Sequence, residues 1–213
     1  MIFEDWGLVD YEIALARQIK AVELVISDPN HPGFLIFCTH PEVVTTGRQT
    51  QADDVFAWSG PVVEVSRGGR ATYHGPSQVV VYPILNLKFQ RHDRKPQEIR
   101  GYVRALEQAI IMTLASYHIQ AVGKTNPESE NNLQDTGVWV EGKKVASIGI
   151  AVRQWVSFHG AAINVQNDSG AFQGLNPCGY QSSVMTNLEV LTNEKIDLDL
   201  FKNKLKKHCA NLL

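Results

Sequence analysis

The chain has 213 residues, 44% of them hydrophobic and 20% charged, with a net charge of −2. This length suits a single domain spanning 1–213, and the balance carries no general signal for nucleic acid or a membrane surface. No apolar run approaches the ~20 residues of a membrane helix, and "MIFEDWGLVDYEIALARQIK" lacks the apolar core of a leader peptide. Three cysteines, Cys38, Cys178 and Cys209, argue against a disulfide framework and predict a reducing, cytoplasmic setting.

In chain order, "DYEIALARQIKAVELVI" spaces Tyr11, Leu15, Ile19, Val22 and Ile26 as one helical face, with Asp10 as the N-cap. The β-branched runs "GFLIFCTH", "VVTTG", "PVVEVSRGG" and "VVVYPILNL" read as strands bounded by Gly, Pro and His. A second helix follows in "PQEIRGYVRALEQAIIMTLASYHI", with Ile99, Val103, Leu106, Ile110, Leu114 and Tyr117 on one face. After the polar loop "TNPESENNLQDTG", the run "VWVEGKKVASIGIAV" predicts a hairpin turning near Glu141–Gly142, and "FHGAAINV" a further strand. The closing "DLDLFKNKLKKHCANLL" is an amphipathic helix, its lysines in the turns the helix dipole favours for cations. Strands dominate the middle without a regular βαβ alternation. The expected class is therefore α/β in the α+β sense, with a mixed central sheet packed by helices.

Three segments carry possible chemistry. "SRGGRATYHGPSQ" (66–78) sets Gly68 and Gly69 between arginines, so it is either a long hairpin connection or a backbone cradle for a carbonyl or phosphate oxygen. It has neither the spacing of a P-loop nor that of a dinucleotide site. In "GKKVASIG" (142–149), strict alternation puts Lys144 on a face with Ala146 and Ile148, and Lys143 with Val145 and Ser147. Lys144 is then either an edge lysine or a cation held for a partner. "GLNPCGY" (174–180) places Cys178 on a turn, where backbone N–H groups are spared from a ladder. Gly179 suggests that the N–H following it is free to serve as an oxyanion donor. Cys38 and Cys209 read as packing residues. His74 and His159 are both available for a Cys–His pair, and "CTH" (38–40) has no companion set that would complete a metal site.

Taken together, "RGGRATYHGPSQVVVYP", "GVWVEGKKVASIG", "SFHGAAINV" and "GLNPCGY" resemble, in order and separation, the signature blocks of the lipoyl(octanoyl) transferase family. The resemblance implies the fold of the biotin and lipoate protein ligases and a catalytic Cys/Lys dyad, falling here on Cys178 and Lys144. It implies a substrate-binding segment on Arg67, Gly68, Gly69, Arg70, Ala71, Thr72, Tyr73 and His74. Further binding stretches fall on Ser147, Ile148 and Gly149 and on Gly160, Ala161 and Ala162. Two departures stand beside these blocks: HGPSQ, with Ser77 where the family has glycine, and "QSS" after CGY.

The implied reaction takes an octanoyl group from octanoyl-acyl carrier protein, holds it as a thioester, and passes it to a lysine. The implied acceptors are lipoyl domains of 2-oxoacid dehydrogenase E2 subunits and the glycine cleavage H protein. No ATP, cofactor or metal is expected, nor any nucleic-acid or membrane partner. The basic run "RHDRKPQEIRGYVR" either steers an acidic protein substrate or is the solvated start of a helix. The rivals are an ATP-dependent lipoate or biotin ligase on the same fold, a thiol acyltransferase or amidase pairing Cys178 with His74 or His159, and a non-catalytic scaffold. Because a buried methylene is worth roughly 0.8 kcal/mol, two carbons give only about ten- to twenty-fold discrimination unless the pocket end blocks longer chains.

Overall fold

A computed structural model describes residues 1–90, 94–124 and 136–213. Asp10 caps α1 (Tyr11–Ser27) as its position predicts, its carboxylate accepting from the N–H groups of Glu12 and Ile13. The buried stripe of α1 is Tyr11, Ala14, Gln18, Val22 and Val25. It is rotated from the expected face, leaving Leu15, Ile19 and Ile26 only half-buried and burying a polar Gln18.

Seven strands form the main sheet: β1 (Ile2–Leu8), β2 (Phe34–Thr39), β6 (Gln78–Ile84), β7 (Val122–Gly123), β8 (Gly137–Val140), β9 (Lys143–Arg153) and β10 (Val156–Asn164). Their order is β1-β2-β6-β10-β9-β8-β7, with β1 and β2 parallel and the other pairs antiparallel. A smaller sheet, in the order β4-β3-β5, joins β3 (Val43–Thr46), β4 (Val62–Glu64) and β5 (Thr72–His74). The mixed α+β class expected from the sequence is the class observed. Strands β2, β6 and β10 are buried at every position, because both faces of the sheet are covered there.

One face, with Leu35, Phe37, Val79, Val81 and Ile163, packs on α2 (Ile99–Ala115) and α4 (Leu198–Leu212). The other, with Ile36, Cys38, Val80 and Tyr82, packs on α1. Asp197 caps α4, accepting from the Leu200 N–H. A short α3 (Leu188–Thr192) precedes it.

Two hairpin turns set the β8–β9–β10 register. Glu141 and Gly142 have φ of 48° and 80°, and Gln154 and Trp155 of 50° and 67°. Paired left-handed residues match the right-handed twist of the strands they join. The first turn falls where the sequence puts it. The second has no glycine to announce it. β1 and β5 also escape the sequence pattern: β1 is an exposed edge strand, and β5 is three residues inside the glycine-rich connection. Of the polar loop at 125–137, residues 125–135 lie outside the described residues, as do 91–93 of the basic run. Among the described residues, no helix is long and apolar enough to cross a membrane.

Candidate active site

Between the main sheet and the smaller one lies a slot into which Cys178, Lys144, Ser147 and His74 all open. Cys178 sits in a 3-10 turn (Pro177–Gly179) with φ 55° and ψ 21°, a left-handed conformation unusual for a side chain with a Cβ. Strain of this kind persists only where the surroundings hold it. Here the Cys178 N–H donates to the Ala71 carbonyl at 2.8 Å, and the Asn176 N–H donates to the Asp54 carbonyl. The Asn176 side-chain amide donates to the Asp53 carbonyl. Arg70 completes the latch: its Nε donates to the carboxylate of the fully buried Asp54 at 3.0 Å, and its guanidinium lies against Gly179, where a Cβ would meet it at 2.4 Å. The charge-assisted pairing pushes the Arg70 pKa further up.

The backbone donors expected beside the thiol are already used. The Gly179 N–H donates to Asn176, and the Tyr180 N–H to Pro177. The turn spends these groups on its own closure, so an oxyanion has to be met from elsewhere. Gly69 and Arg70, on the slot wall, have backbone N–H groups with no hydrogen bond to a described residue.

Lys144 reaches the slot through an irregularity. Val138 pairs with Ala146 but Trp139 pairs with Lys144, so β9 carries one extra residue, Val145. Val145 and Ala146 consequently both enter the α2/α4 core beside Ile148. Lys144 is turned to the opposite face, with Ser147. This corrects the strict alternation, which grouped Lys144 with Ala146 and Ile148. Lys144 is 1% exposed, and its Nζ lies 5.4 Å from the centroid of the Trp139 ring. No carboxylate pairs with it among the described residues. Gly137 makes room for its chain: a Cβ there would come 2.7 Å from Lys144 Cε.

Ser147 Oγ stands 3.8 Å from Cys178 Sγ. Arg67, Gly68, Gly69, Arg70 and Thr72 form one wall of the slot, and Ile148, Gly149, Gly160, Ala161 and Ala162 line the other. Gly149 lets the walls approach, since a Cβ would lie 2.9 Å from the Gly68 carbonyl oxygen. Ala71 and Tyr73, although in the same segment, turn away into a small core with Val44, Phe172 and Leu175. Arg67 is 6% exposed and donates to the carbonyls of Gly68, Arg70 and Thr45 and to the Thr45 hydroxyl. Burial lowers its pKa.

His74 and His159 both line the slot, but neither bonds to Cys178. His74 Nε2 lies 3.2 Å from the Thr45 hydroxyl, and His159 Nδ1 lies 3.5 Å from the Tyr11 hydroxyl. Burial first, and positive neighbours second, hold the His74 pKa well below its ordinary 6.5 and push His159 down to about 3. Tyr11, Val80 and Tyr82 also line the slot, and nothing in the sequence marks them. Ser77, the departure in HGPSQ, faces away and donates to Asp168 at 3.2 Å. Among the described residues no cluster of three metal-ligating side chains occurs.

An open groove of about 570 Å³ adjoins the slot, sharing Gly68, Gly69, Ile148 and Gly149 with it. Its floor includes Ile99, Val103, Ile150 and Phe158, and Arg48, Arg100 and Arg153 also line it.

Residues 10–210 match the lipoyl protein ligase A/B catalytic domain. The chain is 54% identical over 217 residues to an octanoyltransferase of Bdellovibrio bacteriovorus, covering 100% of this chain and 99% of that one. It is 35% identical to an octanoyltransferase of Pelobacter propionicus, covering 100% and 95%. Among solved structures it is similar to a lipoate-protein ligase A bound with ATP, with a TM-score of 0.72 and 16% identity over 97% of this chain and 83% of that one. It is also similar to the biotin protein ligase of Aquifex aeolicus, with a TM-score of 0.53 and 13% identity over 98% and 66%. At such identities these two likenesses concern the fold alone.

Proposed function

The chain belongs to the lipoyl protein ligase A/B catalytic family, with the octanoyltransferases as its relatives, and we propose that it transfers octanoyl groups in lipoate biosynthesis through a thioester on Cys178. The observation that carries this reading is the convergence on one slot of Cys178 and a buried Lys144 that has no carboxylate partner among the described residues. Cys178 passes its proton to Lys144, and the sulfur attacks the carbonyl carbon of an acyl thioester. As the tetrahedral intermediate collapses, the carrier's thiol leaves with the proton from Lys144. The amine of an acceptor lysine then attacks the acyl-cysteine, its proton goes to Lys144, and the Cys178 thiolate departs. Gly69 and Arg70 N–H groups serve the oxyanion.

Thioester to amide runs downhill, so the reaction consumes no ATP and needs no metal. The donor is octanoyl-acyl carrier protein. Charge complementarity supports this choice: arginines line the apolar groove that leads to the slot, which suits an acidic carrier and its thioester-bearing arm. The acceptor is a protein, a lipoyl domain of an E2 subunit or of the glycine cleavage H protein. The slot measures about 40 Å³, so the acyl chain has to part its walls.

The test is transfer from octanoyl-acyl carrier protein to a lipoyl domain without ATP, followed by the mass of the domain. Transfer at an unchanged rate after ATP is added is the expected result. Modification only with free octanoate and ATP would move the chain to the ligases.

A further inference from the structure

His159 lines the slot, yet the reaction above gives it no task. Along β10, Ala161 and Ile163 point into the α2/α4 core. Period-2 alternation would send His159 the same way. Instead its φ of 57° turns the imidazole to the α1 face, stacked beside Phe158 with ring centroids 4.7 Å apart. The strained backbone is pinned from α1: the His159 N–H donates to Oε1 of the fully buried Gln18 at 2.9 Å. Tyr11, from the same helix, stands at its Nδ1.

The strand ladder sets the backbone spacing between this residue and the rung beside the thiol. Ser147, which touches Cys178 Sγ, pairs with Ala162, and Ile150 pairs with His159. Three residues separate the two rungs, about 10 Å along the strands. An extended eight-carbon acyl chain has seven C–C bonds of about 1.5 Å and spans roughly 9 Å once the zigzag is allowed for.

We propose that His159, fixed by Gln18, is the end wall of the acyl slot and sets its chain length. The proposal rests on the acyl-transfer reading. A wall of this kind rejects longer chains sterically, where methylene burial alone discriminates only about ten- to twenty-fold. Its Nε2 is buried with no hydrogen-bond partner among the described residues, so extra methylenes pressed against it would seal off a polar atom as well. With its pKa near 3, the imidazole is uncharged at neutral pH and compatible with an apolar chain end.

The experiment compares wild type, His159→Gly and His159→Asn with hexanoyl-, octanoyl-, decanoyl- and dodecanoyl-acyl carrier protein. It reads kcat/KM and acyl-enzyme formation by mass. Both substitutes tolerate a left-handed backbone, so the asparagine variant carries the test if the glycine variant does not fold. The expected result is a fall of about tenfold or more in the octanoyl-to-decanoyl ratio for His159→Gly, and a smaller fall for His159→Asn. A ratio within about twofold of wild type in both variants, with acyl-enzyme still forming, overturns the wall and leaves the transfer reading intact. Wild type that takes no acyl group from any carrier overturns both.

Discussion

The two faces of the central sheet are built to opposite rules. The face toward α2 and α4 is chiefly apolar, with Leu35, Val81, Leu106, Ile110, Phe201 and Leu205, and the polar side chains that α2 buries, Glu107 and Thr113, are hydrogen-bonded. The face toward α1 and the small sheet buries Gln18, Thr45, Arg67, His40, His74, Lys144 and His159. Several of these keep a polar atom with no partner among the described residues: Gln18 Nε2, Arg67 Nε and His159 Nε2. Buried polar atoms without partners cost stability, and they persist where chemistry needs them. One face therefore supplies the stability on which the other's reactive arrangement depends.

Substitutions separate the two roles. Lys144→Met should lower kcat by about 10²- to 10⁴-fold, the usual effect of losing a proton-transfer group. The same change should leave the melting temperature unchanged or raised, since an apolar chain replaces a buried amine that has no carboxylate partner among the described residues. Steady-state kinetics beside calorimetry reads both; a large loss of stability would mean that Lys144 serves the core. Leu106→Ala, on the opposite face, should cost about 2–5 kcal/mol in denaturant unfolding while the folded fraction keeps its kcat.

Acid sharpens the contrast. The unfolded chain takes up protons on His40, His74 and His159 near pH 6.5, whereas burial holds all three lower in the folded protein. Stability is therefore full above about pH 6.5 and falls as the pH drops below it. The share from His159 continues to fall toward its folded value near 3, at about 1.4 kcal/mol per pH unit for one histidine. Denaturant midpoints measured from pH 7.5 to 4.5 should show this decline, and His159→Asn should flatten it by one histidine's share. A wild-type midpoint that is flat over this range would contradict the buried neutral histidines.

Much of this was legible from the residues. Asp10 announces its helix, Glu141–Gly142 announces a hairpin, and proline and glycine around Cys178 announce a thiol on a turn. What escaped are departures from regular periods. Val145 is an extra residue in β9, and strict alternation therefore misplaces Lys144. His159 is left-handed in the middle of a strand, where a histidine carries no mark of that conformation. Gln18 reads as a solvent position on an amphipathic helix, because its partner is the backbone of a residue 141 positions away. The latch of Arg70 and Asp54 on Asn176 is likewise a pairing of distant segments.

The central claim is that Cys178 carries the acyl group. Intact-mass analysis of the protein mixed with octanoyl-acyl carrier protein, without ATP, tests it most directly. Wild type should gain one octanoyl group, which added lipoyl domain discharges, and Cys178→Ala should gain none. An adduct that survives in Cys178→Ala, or one that the lipoyl domain cannot discharge, would contradict the account.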